Sequence, residues 1–459
     1  MTLTEKFFDK LGIIMKNPEL KERIAFTLLM FLVARIGTFI PAPGVDIGRL
    51  EAMSETSDIL GYINMFTGGA FKRISIFSLG IAPYINASIV FSLLSVIIPR
   101  IEEIQKEGES GRDRIASWTR YLTIVIAMVQ SFATCAWLQS VGLVTGRSEV
   151  AFFVTTIITL TAGTIFMMWV GEQISIHGIG NGVSLLIFLN VISGGPGNIV
   201  QLIQGMRHSK FLIPAIIAIA IAGTLVVMGI VIFQHGQRKI PIHYVGKGYG
   251  RTGGVGDKSY IPLKLNSAGV MPVIFASVAM IVVSALSRVF PRFLEMIFRI
   301  FSGAIEAAYK WKYGAEEILD KAELMNKINV IIQRLLAANG IGYMVIFAVI
   351  IVFFSFFYTA IVFDPEKVAD NLKQGGGTIP GIRPGSETVD YLEGVVTRIT
   401  WGGAFFLAAI SILPAAIFTA LKLPVFFGGT GIIIVVGVAI DTVQQINAHL
   451  VMRDYKGFI

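Results

Sequence analysis

Cysteine is almost absent from this chain: Cys135 stands alone, which excludes an internal disulfide and any metal cage built from several thiolates. Histidine is scarce too. His177, His208, His235, His243 and His449 are scattered over loop and span-end positions, none forms an HExxH pair, and so no metal site is expected. No Walker loop and no GxSxG turn occurs, which argues against a nucleotide motor and against a serine hydrolase of the elbow type. Charge is sparse: only 15% of the residues are Asp, Glu, Lys or Arg.

What fills the chain instead is apolar. With 54% hydrophobic residues among 459 and a mean hydropathy of +0.72, it carries more apolar surface than a water-soluble fold could bury, so lipid is its main solvent. The 48 glycines follow no collagen period and fall at span ends and inside apolar segments, where they allow close backbone approach. Hydropathy marks ten apolar segments, at 24–40, 74–99, 121–141, 151–170, 183–203, 211–233, 268–287, 341–363, 399–421 and 431–447. An even number puts both termini on one side. Residues 1–23 are amphipathic and charged without a small-residue cleavage pattern, and read as a cytoplasmic surface helix.

Orientation follows from the cations. With the N-terminus inside, inner segments carry 22 lysines and arginines against 7 in the short outer loops; the long, mixed-sign outer segment 288–340 holds 8 and Arg35 lies in the first span. That bias places both termini and the basic loops in the cytoplasm. Five segments fall on each side of residue 205, and an odd number per half makes two similar halves inverted relative to one another. The halves are 24–204 and 205–459. Segment 288–340 shows apolar residues at helical spacing among charges and reads as one or two amphipathic helices.

Several stretches are not plain lipid anchors. Gly80 and Pro83 predict a break in the second segment, and 61–75, with Gly68-Gly69, is too short to span yet too apolar for an ordinary loop. It fits a segment folded back into the protein or an interfacial helix equally well. The hairpin 169–188 carries Gly178, Gly180 and Gly182. The cytoplasmic loops 235–266 and 364–394 combine glycine and proline turns with separated cations and suit docking platforms; Arg383 lies between two Pro-Gly turns. Ionisable residues inside the spans reduce to Arg35, Glu172 at an end and Asp441, which argues against an ion-coupled carrier, the main alternative. An intramembrane enzyme is a weaker alternative, since no nucleophile with a nearby base is visible.

The motifs RIGTFIPAPGVD, NMFTGGAFKRISIFSLGIAPYINASI, GEQISIHGIGNGVSLLIF, GQRKIPI, FFYTAIVFDPEKVADNLKQGGGTIPGIRPG and LPVFFGGTGIIIVV occur in this order along nearly the whole chain. In them the sequence resembles the SecY family, the central subunits of the bacterial protein-conducting channel. The resemblance implies an all-α membrane protein whose ten transmembrane helices form two inverted five-helix halves around an hourglass pore, with a short plug helix at 62–77. It implies a pore ring of Ile85, Ile89, Ile187, Ile274 and Ile434; plug residues Asn64, Met65, Phe66, Gly68, Gly69 and Phe71; a lateral gate at Ser92, Gln130 and Asn266; and motor or ribosome docking at Arg238, Lys239, Lys247, Arg251 and Arg383. Ser92 stands where the family often has glutamine, and Asn86 where serine is usual. The resemblance further implies a bacterial inner-membrane location, no enzymatic activity and no cofactor. Its implied partners are SecE-like and SecG-like subunits, a SecA-like ATPase, a translating ribosome, an unfolded preprotein with its signal peptide, and membrane lipid.

Overall fold

The computed structural model describes residues 17–46, 48, 67–144, 148–206, 212–244, 259–280, 340–420 and 429–456. Helix α1 (Pro18–Gly37) starts where Asn17 accepts the Leu20 amide, Pro18 occupies the first turn and Glu19 faces the positive helix end. The boundary expected at residue 23 therefore falls inside a continuous helix; residues 1–16 lie outside the described residues. The break expected at Gly80 and Pro83 proves to be a beginning. Residues 74–81 run without helix, and α2 (Ala82–Ile97) opens with Pro83 in its first turn, where the missing amide costs nothing. Pro99 ends it by forcing Ile98 into extended backbone, and α3 (Pro99–Lys106) leaves at 102°.

Five helices complete the rest of the first part and the start of the second: α4 (Glu109–Ser140), α5 (Glu149–His177), α6 (Gly182–Met206), α7 (Leu212–His235) and, after the strands, α8 (Met271–Met280). The strands are β1 (Gln237–Pro241), β2 (His243–Tyr244) and β3 (Tyr260–Lys264). Beyond them follow α9 (Ile341–Val362), α10 (Pro365–Gln374), β4 (Gly377–Thr378), α11 (Ser386–Ala420) and α12 (Gly429–Lys456). Each of the ten apolar segments thus carries a helix. Among the described residues five helices are long and apolar enough to cross a membrane, namely α4, α5, α9, α11 and α12, and the bent pair α2–α3 makes a sixth. Helix α1 carries Lys21, Glu22, Arg23 and Arg35, which keep it below that threshold. Segment 288–340, expected outside, lies beyond the described residues except for Gly340.

The outward faces are apolar at helical spacing. On α9, Val345, Val349 and Phe353 are exposed while Phe347, Ile351 and Phe354 are buried, so one helix presents an apolar stripe to each side. Packing sorts the helices into two groups. Helices α1, α2, α4, α5 and α6 pack among themselves, as do α7, α9, α11 and α12, and α6 against α12 joins the groups. The largest cluster of buried side chains draws on both groups, with Ile85, Ile187, Ile274 and Ile434 at 4% exposure or less.

The glycine hairpin between α5 and α6 is a close approach. A Cβ on Gly182 would overlap the carbonyl of Gly171, while its amide donates to the Ser175 hydroxyl at 2.9 Å. Asn181 caps α6 by accepting the Ser184 amide at 3.1 Å. Gly182→Ala should therefore destabilise the protein by about 1–3 kcal/mol through overpacking. Gly194→Ala, whose Cβ meets open space inside the same helix, should be neutral or slightly stabilising. Thermal unfolding in detergent reads both changes.

Candidate functional site

The site is built along α6. Its cap Asn181 and first-turn Ser184 line a polar cavity of about 470 Å³ together with Lys264 at the end of β3 and Asp441, Thr442, Gln444 and Gln445 on α12. Lys264 Nζ donates to Gln444 Oε1 at 3.2 Å and ties the strand to the helix. Asn181 and Ser184 also border a second cavity of about 90 Å³, whose remaining walls include Ile85 and Tyr84 of α2, Ile187 of α6, and Met271, Ile274 and Phe275 of α8. That volume is far below the ~300–1,000 Å³ of a small-molecule pocket, so this is a narrow gap between side chains and not a binding chamber.

Three of the five expected ring isoleucines, Ile85, Ile187 and Ile274, meet at this narrowing. Ile89, one turn after Ile85 on α2, and Ile434 of α12 are buried in the same apolar cluster without bordering the cavity. One turn beyond Ile187, α6 presents Asn190, which lies against Gly68: a Cβ there would stand 3.0 Å from Asn190 Oδ1 and 3.2 Å from Arg35 Nη1. Polar cavity, isoleucine narrowing and Gly68 thus succeed one another along about 14 Å of one helix, nine residues at 1.5 Å each.

Of the expected plug residues, Gly68, Gly69 and Phe71 are described, and Asn64, Met65 and Phe66 lie outside the described residues. Gly68 and Gly69 have φ of 62° and 90°, and Phe71 opens a 3₁₀ turn (Phe71–Arg73). The chain after Ala70 is anchored: the Ala42 amide donates to the Ile74 carbonyl at 2.7 Å and the Ile76 amide to the Ile40 carbonyl at 3.0 Å. Ile74 and Ser75 are fully buried. Arg35, at the C-terminal end of α1, donates from Nη1 to the Gly68 carbonyl at 2.9 Å.

The expected gate residues are separate in their bonding. Asn266 is buried in the turn before α8 and donates its amide to the Gly269 carbonyl at 2.8 Å; the Ser92 carbonyl accepts the Ser95 hydroxyl and the Gln130 carbonyl the Thr134 hydroxyl. Ser92 and Gln130 sit on α2 and α4, which pack together. Arg120, ten residues before Gln130 on α4, pairs with Glu172 of α5 at 2.7 Å.

The described parts of loops 235–266 and 364–394 form one body. Strands β1 and β3 pair antiparallel with Arg238 opposite Leu263, and β2 pairs with β4 (His243 opposite Thr378), which joins loop 235–266 to loop 364–394. Ile240, Leu263, Ile379, Leu392 and Val395 close a small core between them. Asp364 caps α10 by accepting the Lys367 amide at 3.2 Å, and the bond from the Lys367 ammonium holds its carboxyl below the usual value. Arg238 and Lys239 are exposed, with Lys239 Nζ 4.6 Å from the Tyr260 ring centre. The Arg383 side chain is 88% exposed; its backbone amide donates to Glu387 Oε2 at 3.3 Å. Lys247 and Arg251 lie outside the described residues.

Sequence reasoning missed two parts of this arrangement. The pairing of β2 with β4 spans two-residue strands far apart in the chain and leaves no periodic trace. The clasp of Arg35 on Gly68 did leave one, a lone cation in an apolar span that needs a partner.

Comparison with known proteins places this arrangement. A family model described as SecY matches residues 75–443. The chain is 38% identical over 443 residues to the protein translocase subunit SecY of Pseudomonas aeruginosa, covering 96% of this chain and 93% of that one. It is 37% identical over 444 residues to the protein translocase subunit SecY of Escherichia coli, with 95% and 93% covered. Among solved structures, one described as a protein conducting channel superposes with a TM-score of 0.57 at 18% identity, covering 93% of this chain and 91% of that one. Another, concerning the plug domain that stabilises the closed state of the SecY channel, gives 0.54 at 19% over the same shares. Sec61 in a canine ribosome-channel complex gives 0.54 at 18%, again over 93% and 91%.

The core shared by the two loops yields a direct test. Leu392→Ala should cost about 2–5 kcal/mol locally, because Leu392 is fully buried and the small core cannot collapse around the void. Hydrogen exchange should show lost protection at 237–241 and 377–396 together, since both loops share that core.

Proposed function

The chain belongs to the SecY family of protein translocase subunits, and we propose that it passes unfolded secretory polypeptides through the polar cavity and isoleucine narrowing described above. It is a channel subunit and no enzyme. The observation that carries the reading is the sequence of environments along α6, polar and open on one side of Ile187 and closed on the other by Gly68 against Asn190.

The polypeptide enters at the cytoplasmic side, where the cavity offers hydroxyls, amides, Lys264 and Asp441 to a hydrated chain. It then displaces the plug segment 62–77 and crosses a ring of Ile85, Ile89, Ile187, Ile274 and Ile434. Aliphatic side chains suit that role. They dewet a narrow pore at rest and close around passing side chains of any chemistry, because dispersion contacts are non-directional. A sufficiently apolar segment leaves sideways between α2 with α4 and α8 with α9, at the seam marked by Ser92, Gln130 and Asn266, since it partitions favourably into lipid.

Energy comes from outside the chain. A SecA-like ATPase or a translating ribosome docks on the joined cytoplasmic loops through Arg238, Lys239, Lys247, Arg251 and Arg383, with SecE-like and SecG-like subunits completing the channel in the bacterial inner membrane. Both termini face the cytoplasm on the cation bias of the loops.

Proteoliposomes holding the channel with its partner subunits test this directly. A preprotein should become protease-protected when the ATPase and ATP are added, and Arg383→Glu should lower that import by at least about tenfold without changing thermal stability, as removal of an exposed docking charge would. Normal import by the Arg383→Glu channel would refute the docking assignment.

The gate is tested separately with Ser92→Cys and Asn266→Cys in one chain. A short bifunctional thiol reagent should join them in the idle channel and stop import, and reduction should restore it. Full import by the joined channel would place the lateral exit elsewhere.

A further inference from the structure

The hairpin between α5 and α6 meets two different parts of the molecule. Gly180 and Asn181 stand with Ser184 in the wall of the polar cavity. The residues just before them lie on α1, held by side chains more than 150 positions away in the chain. The Ile179 amide donates to Thr27 Oγ1 at 3.2 Å, and Arg23 Nη1 donates to the Gly178 carbonyl at 3.3 Å. Phe26 packs against the His177 ring, with 5.7 Å between ring centres. Residues 177, 178 and 179 thus each meet α1.

The contact is buried and close. Ile179 is 4% exposed and Thr27 8%, and a Cβ on Gly178 would stand 2.6 Å from Thr27 Oγ1. The Thr27 hydroxyl works in both directions: it accepts from Ile179 and donates to the Arg23 carbonyl at 2.8 Å, so its proton is committed to α1 and a lone pair to the hairpin. Arg23 places a cation at the negative C-terminal end of α5, with Glu19 Oε1 3.6 Å from its Nη2.

Within the hairpin, the Ser175 hydroxyl on the Gly182 amide and the Asn181 cap fix where α6 starts. Before that anchor Gly178 and Gly180, the latter at φ of 84°, leave the connecting turn several backbone paths, and the bonds from α1 select one. Gly180 faces α12: a Cβ there would stand 3.7 Å from Gln445 Oε1, and both residues line the cavity. A turn released from α1 that shifts toward α12 narrows that cavity.

Resting on the channel reading above, we propose that Thr27 and Arg23 are positioning residues for chain entry: by holding the Ile179 amide and the Gly178 carbonyl, α1 sets where Gly180 and Asn181 stand in the cavity wall, and so how well the cavity receives a polypeptide. They act through the hairpin and not on the passing chain.

The test titrates preprotein against the complete channel complex in proteoliposomes, with the partner ATPase and ATP. Thr27→Val removes both hydrogen-bonding functions at nearly constant volume. It should raise the preprotein concentration for half-maximal import about three- to tenfold, with the maximal rate within about twofold, as expected when a buried amide loses its acceptor and a two-state position shifts. Thr27→Ser keeps the hydroxyl and should return that concentration to near the unsubstituted value, which a packing defect would not do. Hydrogen exchange on the same complexes in detergent should be about tenfold faster at the Ile179 amide in Thr27→Val. Unchanged exchange there means that Thr27 does not hold the turn, and the proposal fails. Faster exchange with an unmoved half-maximal concentration, or with a loss confined to the maximal rate, shows a bond that does not serve entry and overturns the proposal equally. An unsubstituted complex that imports no preprotein overturns the channel reading itself, and this proposal with it. Should Thr27→Val fail to assemble, Arg23→Gln, at a partly exposed side chain, is read by the same criteria at the Gly178 end of the contact.

Discussion

The rest of this structure depends on an apolar contact between its two helix groups, which the proposed function requires to be tight at rest and breakable in use. The cluster around Ile85, Ile187, Ile274 and Ile434 is the place where the two helix groups meet most deeply, and it has no bond direction. An apolar contact stabilises in proportion to the area removed from water, at about 25 cal/mol per Å². It can be opened and remade without finding a lost partner. A seal of hydrogen-bonded or paired charged residues would leave unsatisfied groups each time it opened, at about 1–3 kcal/mol for each buried group.

Around that seal the structure uses directional bonds where position must be kept. The Gly68 carbonyl is held by Arg35, residues 74–76 are bonded to 40–42, and α5 and α6 are fixed at the backbone contact of Gly171 and Gly182. The division has a physical logic. The parts that the proposed function requires to separate are joined by dispersion and burial, and the parts around them by hydrogen bonds to backbone, which lose strength steeply with small displacements.

The two paired loops follow the same logic on a smaller scale. Loop 235–266 and loop 364–394 come from the same helix group, and each alone is too short to bury a core. Pairing β2 with β4 and closing Ile240, Leu263 and Leu392 together gives them one, and Leu392 and Val395 carry that core onto α11. Lys264 continues that body to the polar cavity by its bond to Gln444.

Much of this was legible from residues alone. Apolar runs placed a helix at each of ten segments because lipid requires length and hydropathy, both local properties. Gly80 with Pro83 announced the discontinuity before α2, through backbone chemistry that acts over a few residues. The identity of the isoleucines as a set was carried by resemblance, since an isoleucine in a span has the same period whether it faces lipid, a neighbour or a cavity. Only the tertiary structure decided that Ile85, Ile187 and Ile274 border one narrowing, that two distant loops share a core, and that the Arg35 guanidinium ends on Gly68. Periodicity reports which side of a helix is apolar. What that side meets is set by the packing of the other helices, and a sequence read one segment at a time does not contain it.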